Sequence, residues 1–596
     1  MAVSFTKSQR TAIDIHGRTL LISAAAGSGK TATLTERIIR ELTDPECPRD
    51  ISDMLIVTFT RAAAGELRTR ISAALSAELA LNPSDAHLSR QLIAVGSARI
   101  CTIDSFYLDV VRENFQRLGL PASFRLADDS ELAPLRSDCM QNIIELFYDT
   151  EPEFPPLAES LTTARGDARL AEILITDVIP RLECLPRGMY VPADDAELLE
   201  QESRRPFFES RAGKCALDSI FDTLDDASRT MSAAVEEIST DQIYPEGYIR
   251  AFRYDLDTVN ALLDAARDPD SEKMRCLLAD YSPLRLPSFK KGTKPERAEE
   301  LAAIRNGCKK SIGDIQSKFF SMSNDEISET QLRTASLLRT LSRLLVSYRD
   351  AFREEKNARS ICEFSDIRGY AYSLLIDADG NPTPTAMQWR ERFSEIFVDE
   401  YQDTDPVQDA IFRAVSRGDN LFMVGDIKQS IYSFRGAEPS IFAGYRKSFA
   451  PLTPGEEPED NAPHSVFMSE NFRCSENIVN FTNAVSAHLF SASEDSPQAH
   501  GIGYRPEDDL IFSRKYDPNV QVPDEKVEIT LIEPNAGNDA DEEKDDEPTK
   551  DDPEISYVCS RIAGMLSSGR DPGDIAVLSR SKKHAAKIAE SPPQTA

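Results

Sequence analysis

Short apolar runs alternate with polar and glycine-rich segments along the first and middle parts of the chain. Five of these runs predict buried β-strands, at residues 20–23, 54–58, 98–102, 396–399 and 421–424. Each run ends in a polar loop, and an open parallel sheet presents its ligand-binding loops at the carboxyl ends of its strands. The pattern therefore predicts an α/β fold in which one edge of a parallel sheet carries the chemistry.

The pattern becomes helical between residues 116 and 358. Apolar side chains recur there at spacings of three and four residues, as in Leu337, Leu338, Leu341, Leu344, Leu345, Tyr348, Ala351 and Phe352. We expect a mainly helical domain at 116–358, inserted into a sheet domain that comprises residues 1–115 and 359–453. A basic stretch in the insertion, at residues 290–294 and 309–310, is compatible with contacts to DNA phosphates and with a solvated charged surface.

Residues 461–596 predict a second, partial sheet domain. Its candidate strands are residues 465–468, 527–532 and 574–580, and the second of these alternates as a half-buried strand does. An acidic stretch interrupts this domain at residues 535–554. Its composition predicts a disordered, solvated loop without chemistry.

A glycine-rich segment joins the first predicted strand to a helix-like stretch at residues 34–39. Its backbone N–H groups can turn toward a triphosphate, Lys30 can reach the outer phosphates, and the Thr31 hydroxyl can hold Mg²⁺. Ala24 replaces the first glycine of the usual pattern G-x-x-x-x-G-K-[ST], and an ordinary helix-capping turn is the alternative. The residues predicted to hold the nucleotide and its Mg²⁺ are Ala26, Gly27, Ser28, Gly29, Lys30 and Thr31.

The strand predicted at residues 396–399 ends in two adjacent carboxylates. Asp399 can hold Mg²⁺ through water, and Glu400 can orient or deprotonate the attacking water. A solvated acidic turn is the alternative for any single Asp-Glu pair. The phosphate loop in the same chain favours the functional interpretation.

Seven segments in this order resemble the helicase motifs of the UvrD/Rep group of superfamily-one DNA helicases: residues 5–9, 23–31, 58–64, 102–106, 399–404, 424–436 and 470–473. The phosphate loop and the element at residues 363–367 resemble most the helicase component of the AddAB and RecBCD recombination nucleases, AddA in particular. The resemblance implies a P-loop RecA-like parallel-sheet ATPase core, a large inserted helical domain and a partial second RecA-like domain.

The same resemblance implies a function. It implies ATP-dependent 3′ to 5′ translocation on DNA, at a single strand or at a junction between single strand and duplex. It also implies a complex for recombination and double-strand-break repair that contains an AddB- or RecC-like subunit. The implied cofactors are ATP and Mg²⁺.

Roles at the nucleotide also follow from the resemblance. Gln9 would bind the adenine edge through its amide, and Phe472 would lie against the adenine ring, although core burial is the alternative for a lone phenylalanine. Gln429 and Arg473 would contact the γ-phosphate. The implied catalytic set is Lys30, Asp399, Glu400, Gln429 and Arg473.

The resemblance places single-stranded DNA on aromatic side chains, because stacking on bases tolerates any sequence. These side chains are Phe59, Tyr432 and Phe434, and core burial is the alternative for each taken singly. The residues implied to contact DNA phosphates are Thr58, Thr60, Arg61, Thr102 and Ser105, and Arg435 could contact either DNA or the nucleotide. Asp104 stands where relatives often carry histidine, and its carboxylate would repel a phosphate unless it points away.

Composition limits the remaining function classes. A formal net charge of −32 is awkward for a DNA-binding protein, but much of the acid lies in segments such as residues 535–554, outside the motifs. The 10 cysteines include no C-x-x-C pair, so neither a zinc site nor an iron–sulfur cluster is indicated. No apolar run approaches about 20 residues and no basic, apolar leader begins the chain, so we expect a cytoplasmic protein without a membrane partner.

Complete relatives of the implied family continue with an arginine that reaches the γ-phosphate and, in AddA-type proteins, with a nuclease domain. The sequence therefore predicts at most slow ATP hydrolysis and no processive unwinding by this chain alone. Two interpretations stay open: the motor part of a DNA translocase, or a truncated form that binds ATP and DNA without unwinding or needs a second chain to complete it. Residues 429–435 disfavour a third interpretation, an ATP-dependent switch that is not a helicase.

Overall fold

The structure is a computed structural model, and it describes residues 5–162, 169–241, 243–267, 271–289, 294–455, 458, 461–490, 504–514, 526–532 and 553–590. It divides into two compact units: Met1–Cys474 with Thr482–Lys515, and Ser475–Phe481 with Tyr516–Ala596. The first unit contains every residue implied above for ATP or DNA.

Seven strands of the first unit form one parallel sheet, in the order β3, β2, β6, β7, β1, β9, β8. The strands are β1 (Leu20–Ala24), β2 (Met54–Thr58), β3 (Arg99–Thr102), β4 (Arg125–Leu126), β5 (Ile361–Cys362), β6 (Glu395–Val398), β7 (Leu421–Gly425), β8 (Ala450–Pro451), β9 (His464–Met468), β10 (Glu470–Asn471) and β11 (Ile511–Phe512). The five strands predicted for the sheet domain are confirmed, each within one residue of its expected ends.

Helices precede, interrupt and follow this sheet along the chain. Those before and within the insertion are α1 (Lys7–Asp14), α2 (Lys30–Thr43), α3 (Arg61–Leu81), α4 (Ala86–Ala94), α5 (Ile103–Asn114), α6 (Asp129–Thr150), α7 (Phe154–Thr162), α8 (Leu170–Ile173), α9 (Ile179–Glu183), α10 (Val191–Glu202), α11 (Arg211–Thr240), α12 (Glu246–Arg267), α13 (Ser271–Asp280), α14 (Ala298–Phe319) and α15 (Asn324–Ala358). Those after it are α16 (Phe364–Leu375), α17 (Pro384–Arg392), α18 (Pro406–Val415), α19 (Pro439–Ser448), α20 (Glu476–Leu489), α21 (Pro553–Ser567) and α22 (Lys582–Glu590).

Both faces of the sheet are covered, which explains why its strands are apolar throughout. Successive side chains of a strand point to opposite faces. Leu20 and Ile22 of β1 accordingly pack in a cluster with α2, α3 and α4, whereas Leu21 packs in the cluster that contains Phe106 and Trp389. The polar loops at the carboxyl ends of the strands are therefore held by a sheet that is buried on both sides.

The insertion is helical, as predicted, and its two ends are joined where β4 pairs with β5. Helix α15 buries the apolar stripe that the sequence indicated, including Leu344, Leu345 and Tyr348. Of the basic stretch, residues 290–293 lie outside the described residues, and Lys294 forms an ion pair with Glu299.

Strand β9 corrects the prediction for the second domain. Residues 465–468 do form a strand, but this strand pairs with β1 along five residues and belongs to the first sheet. A short apolar run predicts a strand without naming its neighbour, because the pairing is decided by contacts that are distant in sequence.

The other two strands predicted for the second domain are wrong. In the part of the chain that the structure describes, residues 527–532 and 575–580 have no hydrogen-bonded strand partner. Their apolar side chains are not buried on a sheet face either, since Leu531 is 91% exposed and Leu578 is 98% exposed. The acidic stretch lies outside the described residues up to residue 552, and its last two residues begin α21 rather than a loop.

No helix within the described ranges is both long and apolar enough to cross a bilayer.

Candidate functional site

The phosphate loop runs from the end of β1 to the start of α2, and its two glycines take left-handed backbone conformations. The φ angle is 74° at Gly27 and 83° at Gly29. A Cβ atom at Gly27 would lie 2.9 Å from Asn471 Nδ2, and one at Gly29 would lie 2.9 Å from Gln9 Nε2. Both positions therefore need glycine, for conformation and for space.

This loop offers the donor set that a nucleoside triphosphate requires. The Ser28 hydroxyl is buried and has no hydrogen-bond partner among the described residues. Helix α2 begins at Lys30 and runs for 14 residues, so its positive end faces the loop. The Lys30 side chain is 13% exposed, and Thr31 in the same turn has a hydroxyl oxygen, a ligand type that Mg²⁺ prefers. These residues fit ATP with Mg²⁺.

The acidic end of β6 meets the phosphate loop. Lys30 Nζ lies 3.3 Å from Glu400 Oε2, and Gln402 Nε2 donates to the same oxygen at 2.9 Å. Glu400 has a φ angle of 54°, a strained conformation of the kind that clusters at functional sites. The two predicted motifs, 370 residues apart in sequence, thus form one site.

Asp399 directly precedes Glu400, and the charges of both members of this ion pair act on its carboxyl. Burial raises the pKa of the Asp399 carboxyl to about 6, Glu400 raises it as well, and Lys30 lowers it. The backbone N–H of Glu400 donates to Asp399 Oδ1 at 3.0 Å. Because ionised Asp399 is costly in this setting, a bound divalent cation would stabilise its charged form strongly.

The loop after β7 brings Gln429 to the same edge of the sheet. Gln402 Oε1 accepts a hydrogen bond from the backbone N–H of Asp426 at 3.0 Å. Gln429 Nε2 donates to Asp426 Oδ2 at 2.7 Å, and Lys428 Nζ lies 3.0 Å from Asp426 Oδ1. Gln402 therefore ties the Asp399–Glu400 loop to the Gln429 loop, a role that we did not predict although Gln402 lies inside a recognised motif.

Three of the residues implied for adenine and the γ-phosphate, Gln9, Phe472 and Arg473, lie against the phosphate loop. Gln9 Nε2 donates to the Ser28 carbonyl at 2.8 Å, and the backbone N–H of Phe472 donates to the Gly27 carbonyl at 3.0 Å. Phe472 is exposed, so the core alternative is wrong for it. Arg473 Cβ would lie 3.0 Å from a Cβ at Gly27, which places Arg473 beside the loop as well.

The three aromatic residues implied for DNA form one continuous group. The ring centroids of Phe59 and Tyr432 are 4.4 Å apart, and those of Tyr432 and Phe434 are 5.8 Å apart. The Arg435 guanidinium lies 5.7 Å from the Tyr432 ring and 5.8 Å from the Phe434 ring. Phe434 is 75% exposed, so the group is a surface feature and not core.

The polar residues implied for DNA phosphates differ in their access to solvent. Thr58 and Thr102 are buried, and the Thr102 hydroxyl lies 3.1 Å from that of Ser105. Thr60 is exposed and caps α3 by accepting from the backbone N–H of Ala63 at 3.1 Å. Arg61, the first residue of α3, is also exposed.

A groove of 200 Å³ connects the acidic pair to the aromatic group. Asp399 and Glu400 line it together with Phe59 and Tyr432. Arg368 also lines it, and no motif that we recognised contains this residue. The only signal in the sequence was its position directly after the element at residues 363–367.

Comparisons with known proteins show which family the chain resembles. Residues 5–450 match the family described as UvrD/REP helicase N-terminal domain. Proteins named as one subunit of an ATP-dependent helicase/nuclease are similar to the chain over most of its length. That of Thermoanaerobacter pseudethanolicus is 34% identical over 550 residues, which cover 89% of this chain and 43% of the relative.

Two further proteins that carry the same name give the same result. The one from Acetivibrio thermocellus is 30% identical over 619 residues, covering 98% of this chain and 48% of the relative. The one from Bacillus velezensis is 32% identical, covering 94% of this chain and 44% of the relative. The chain thus spans less than half the length of these relatives. Its matched region, phosphate loop and acidic pair together show that the chain belongs to the UvrD/REP helicase family.

Proposed function

We propose that this chain is the motor part of an ATP-dependent DNA helicase, one that moves 3′ to 5′ along a single strand. The observation that supports this most is the single groove that joins Asp399 and Glu400 to the aromatic group of Phe59 and Tyr432. A nucleotide held by the phosphate loop would lie next to Glu400, and a DNA strand stacked on the aromatic rings would lie next to Phe59 and Tyr432, so both ligands would border the same groove.

The residues of the phosphate loop would bind and orient ATP with Mg²⁺. The bound nucleotide supplies the free energy of phosphoryl transfer to water. Lys30 and the positive end of α2 would balance the phosphate charge, and Asp399 with Thr31 would hold the metal ion. Glu400 would orient the attacking water and accept its proton, since the contact with Lys30 Nζ at 3.3 Å places its carboxylate at the phosphate loop.

Gln9, Phe472, Gln429 and Arg473 would complete the nucleotide site. Gln9 and Phe472 would contact adenine, while Gln429 and Arg473 would contact the γ-phosphate. The hydrogen bonds of Gln9 to Ser28 and of Phe472 to Gly27 place both residues on the phosphate loop, which supports the adenine contacts. A charge-assisted contact from Arg473 would stabilise the transferring phosphoryl group.

DNA would bind through stacking and phosphate contacts. Phe59, Tyr432 and Phe434 would stack on successive bases, which suits movement along any sequence. The phosphate contacts would come from Thr58, Thr60, Arg61, Thr102, Ser105 and Arg435.

The relatives suggest the larger setting. They are named as subunits of helicase/nuclease enzymes. We therefore propose that this chain acts in the cytoplasm with a nuclease-associated AddB- or RecC-like subunit, in recombination and double-strand-break repair.

Strand displacement tests the proposal. The purified chain, with and without a partner subunit, is mixed with ATP and a duplex that carries either a 3′ or a 5′ single-stranded tail. Displacement of the strand on the 3′-tailed substrate alone, abolished by Glu400→Gln, would support the proposal. Binding of both ATP and DNA without displacement in either preparation would favour the alternative, a form that binds both ligands without coupling them.

A further inference from the structure

Arg368 is a mostly buried, positively charged residue in the lining of the groove. Its side chain is 17% exposed, and Nη2 lies 2.6 Å from Asp405 Oδ1. Its Nε is buried without a hydrogen-bond acceptor among the described residues. A buried ion pair of this kind adds little net stability, because desolvation offsets the attraction, but it fixes the relative positions of the segments it joins.

The first of these segments begins at the acidic pair. Asp405 ends the loop that starts at Asp399, and it caps α18 by accepting from the backbone N–H groups of Val407 and Gln408, each at 2.9 Å. The preceding carbonyl, that of Thr404, accepts from the backbone N–H of Glu438 at 3.0 Å. Arg368 therefore anchors the far end of the nucleotide-facing loop.

The second segment is the turn implied to contact DNA. Burial raises the pKa of the Asp104 carboxyl, and the positive charges of Arg368 and Arg61 lower it. Asp104 lies in the first turn of α5, between Thr102 and Ser105 in sequence. Arg368 and Asp104 also line the same groove, so the guanidinium charge acts on the carboxylate of this turn.

The third segment belongs to the inserted helical domain. Arg368 Nη1 lies 3.8 Å from Cys184 Sγ, and the Cys184 thiol donates to the Arg435 carbonyl at 3.3 Å. A Cβ atom at Gly436 would lie 2.4 Å from Cys184 Sγ, so the contact is close-packed. Cys184 of the insertion therefore contacts both Arg368 and Arg435, and Arg435 follows the aromatic residues Tyr432 and Phe434 implied for DNA.

We propose that Arg368 is a positioning residue that couples nucleotide binding to DNA binding. The proposal rests on the function proposed above. The Arg368 guanidinium forms an ion pair with Asp405 on the nucleotide-facing loop and lines the same groove as Asp104 on the DNA-facing turn. A ligand that moves either loop changes how the guanidinium charge is shared, so each ligand alters the free energy of binding the other. Such coupling is reciprocal and measurable without turnover.

The test is a binding cycle on the full chain. The affinity for a fluorescent oligothymidylate is measured with and without a non-hydrolysable ATP analogue and Mg²⁺, and the affinity for the analogue is measured with and without the oligonucleotide. For the unmodified chain we expect each ligand to change the affinity of the other at least about fivefold. Arg368→Met should bring this factor to about 1, with each separate affinity changed less than about twofold.

Two further variants separate coupling from a general structural effect. Asp405→Asn keeps the oxygen that caps α18 and removes only the charge, so it should also abolish coupling. Combining Asp405→Asn with Arg368→Met should change the coupling factor no further. Arg413→Met is the matched control, because Arg413 is exposed on the same helix and pairs with Asp409 at 2.9 Å. Arg413→Met should keep the full coupling factor.

Three results would overturn the inference while leaving the proposed function standing. In the first, Arg368→Met retains the coupling factor. In the second, Arg368→Met loses affinity for the oligonucleotide in the absence of nucleotide. In the third, the unmodified chain binds both ligands, but neither ligand changes the affinity for the other. An unmodified chain that binds neither ligand would refute the proposed function itself, and this inference with it.

Discussion

Strand β6 carries an acidic residue at its start and another just past its end, and the two have different surroundings. Glu395 at the start lies 3.5 Å from Arg37 Nη2 and 3.2 Å from Arg49 Nη1. Asp399 past the end faces a groove, with Lys30 and Glu400 nearby. Burial raises the pKa of both carboxyls, so a raised pKa by itself does not separate structure from function.

The difference lies in what completes each cluster. Arg37 is fully buried, and it also donates to the Ala12 carbonyl at 2.9 Å and lies 4.6 Å from the Phe422 ring. Arg37 and Arg49 thus pair with two carboxylates within the fold, Glu395 and Glu41. A buried atom without a hydrogen-bond partner among the described residues occurs near both ends, Glu395 Oε2 at the start and the Ser28 hydroxyl beyond the end, but the end borders a groove with room for a ligand. The start of the strand lies in a buried cluster of ion pairs, and its end borders a groove that a ligand can enter.

The largest effect is expected on ATP turnover, when glutamate is replaced by glutamine at the end of β6 but not when the same substitution is made at its start. Glu400→Gln removes the proposed base and should lower ATP turnover about 1000-fold, with the affinity for ATP nearly unchanged. Glu395→Gln is the matched control and should leave turnover unchanged in the folded protein. Steady-state hydrolysis with a parallel nucleotide-binding measurement checks both. Equal losses in the two variants would remove the distinction between the ends of β6.

Arg37→Met should produce the next largest effect, on stability rather than on activity. Removing Arg37 leaves Arg49 as the single arginine beside the two buried carboxylates, Glu395 and Glu41, and we expect the free energy of unfolding to fall by about 3–5 kcal/mol. Arg40→Met on the same helix is the control, because Arg40 forms exposed pairs with Glu36 and Asp14, worth less than about 1 kcal/mol. Urea denaturation gives both values. A small effect of Arg37→Met would show that this end of β6 is not structural.

Phe59→Ala should weaken single-stranded DNA binding by about 1–3 kcal/mol, because one stacking surface is lost. The dependence of affinity on salt should stay the same, since no cation is removed. Phe472→Ala is the comparison variant, because Phe472 is exposed beside the phosphate loop. It should weaken nucleotide binding and leave DNA affinity intact. Fluorescence anisotropy at several salt concentrations distinguishes the two, and a DNA defect in Phe472→Ala would contradict the assignment.

The smallest effect concerns pH. Since the pKa of Asp399 is raised to about 6, its protonation should weaken Mg²⁺-dependent ATP binding as the pH falls through about 6. Glu400 contributes to this rise, so Glu400→Gln should lower the pKa of Asp399 and move the loss of binding to lower pH. Measuring the nucleotide affinity of the unmodified chain and of Glu400→Gln as a function of pH tests the direction of this shift. A shift to higher pH would mean that Asp399 does not hold the metal ion.

The sequence predicted the end of β6 better than its start. Lys30, Asp399 and Glu400 follow apolar runs in short motifs, and the rule that parallel strands align their carboxyl ends brings them together. The pairing of Glu395 with Arg37 and Arg49 depends on which helix covers which strand, and no local pattern contains that information. The placement of β9 in the first sheet escaped prediction for the same reason.

Arg368 and residues 527–532 show two further limits. The role of Arg368 depends on carboxylates 37 and 264 positions away in sequence, Asp405 and Asp104, so only the folded chain reveals it. Residues 527–532 alternate as a strand should, yet without a neighbouring strand among the described residues they form no ladder. Periodicity indicates which face of a segment could be buried, and tertiary contacts decide whether it is.

The most direct test of the central claim, that the carboxyl end of β6 and the phosphate loop form one ATP-driven DNA site, is ATP hydrolysis by the 596-residue chain with and without single-stranded DNA. Lys30→Ala and Glu400→Gln are measured beside it. We predict measurable turnover that single-stranded DNA increases and that each substitution abolishes, with nucleotide binding lost only in Lys30→Ala. Turnover that survives either substitution, or that DNA leaves unchanged, would contradict the account.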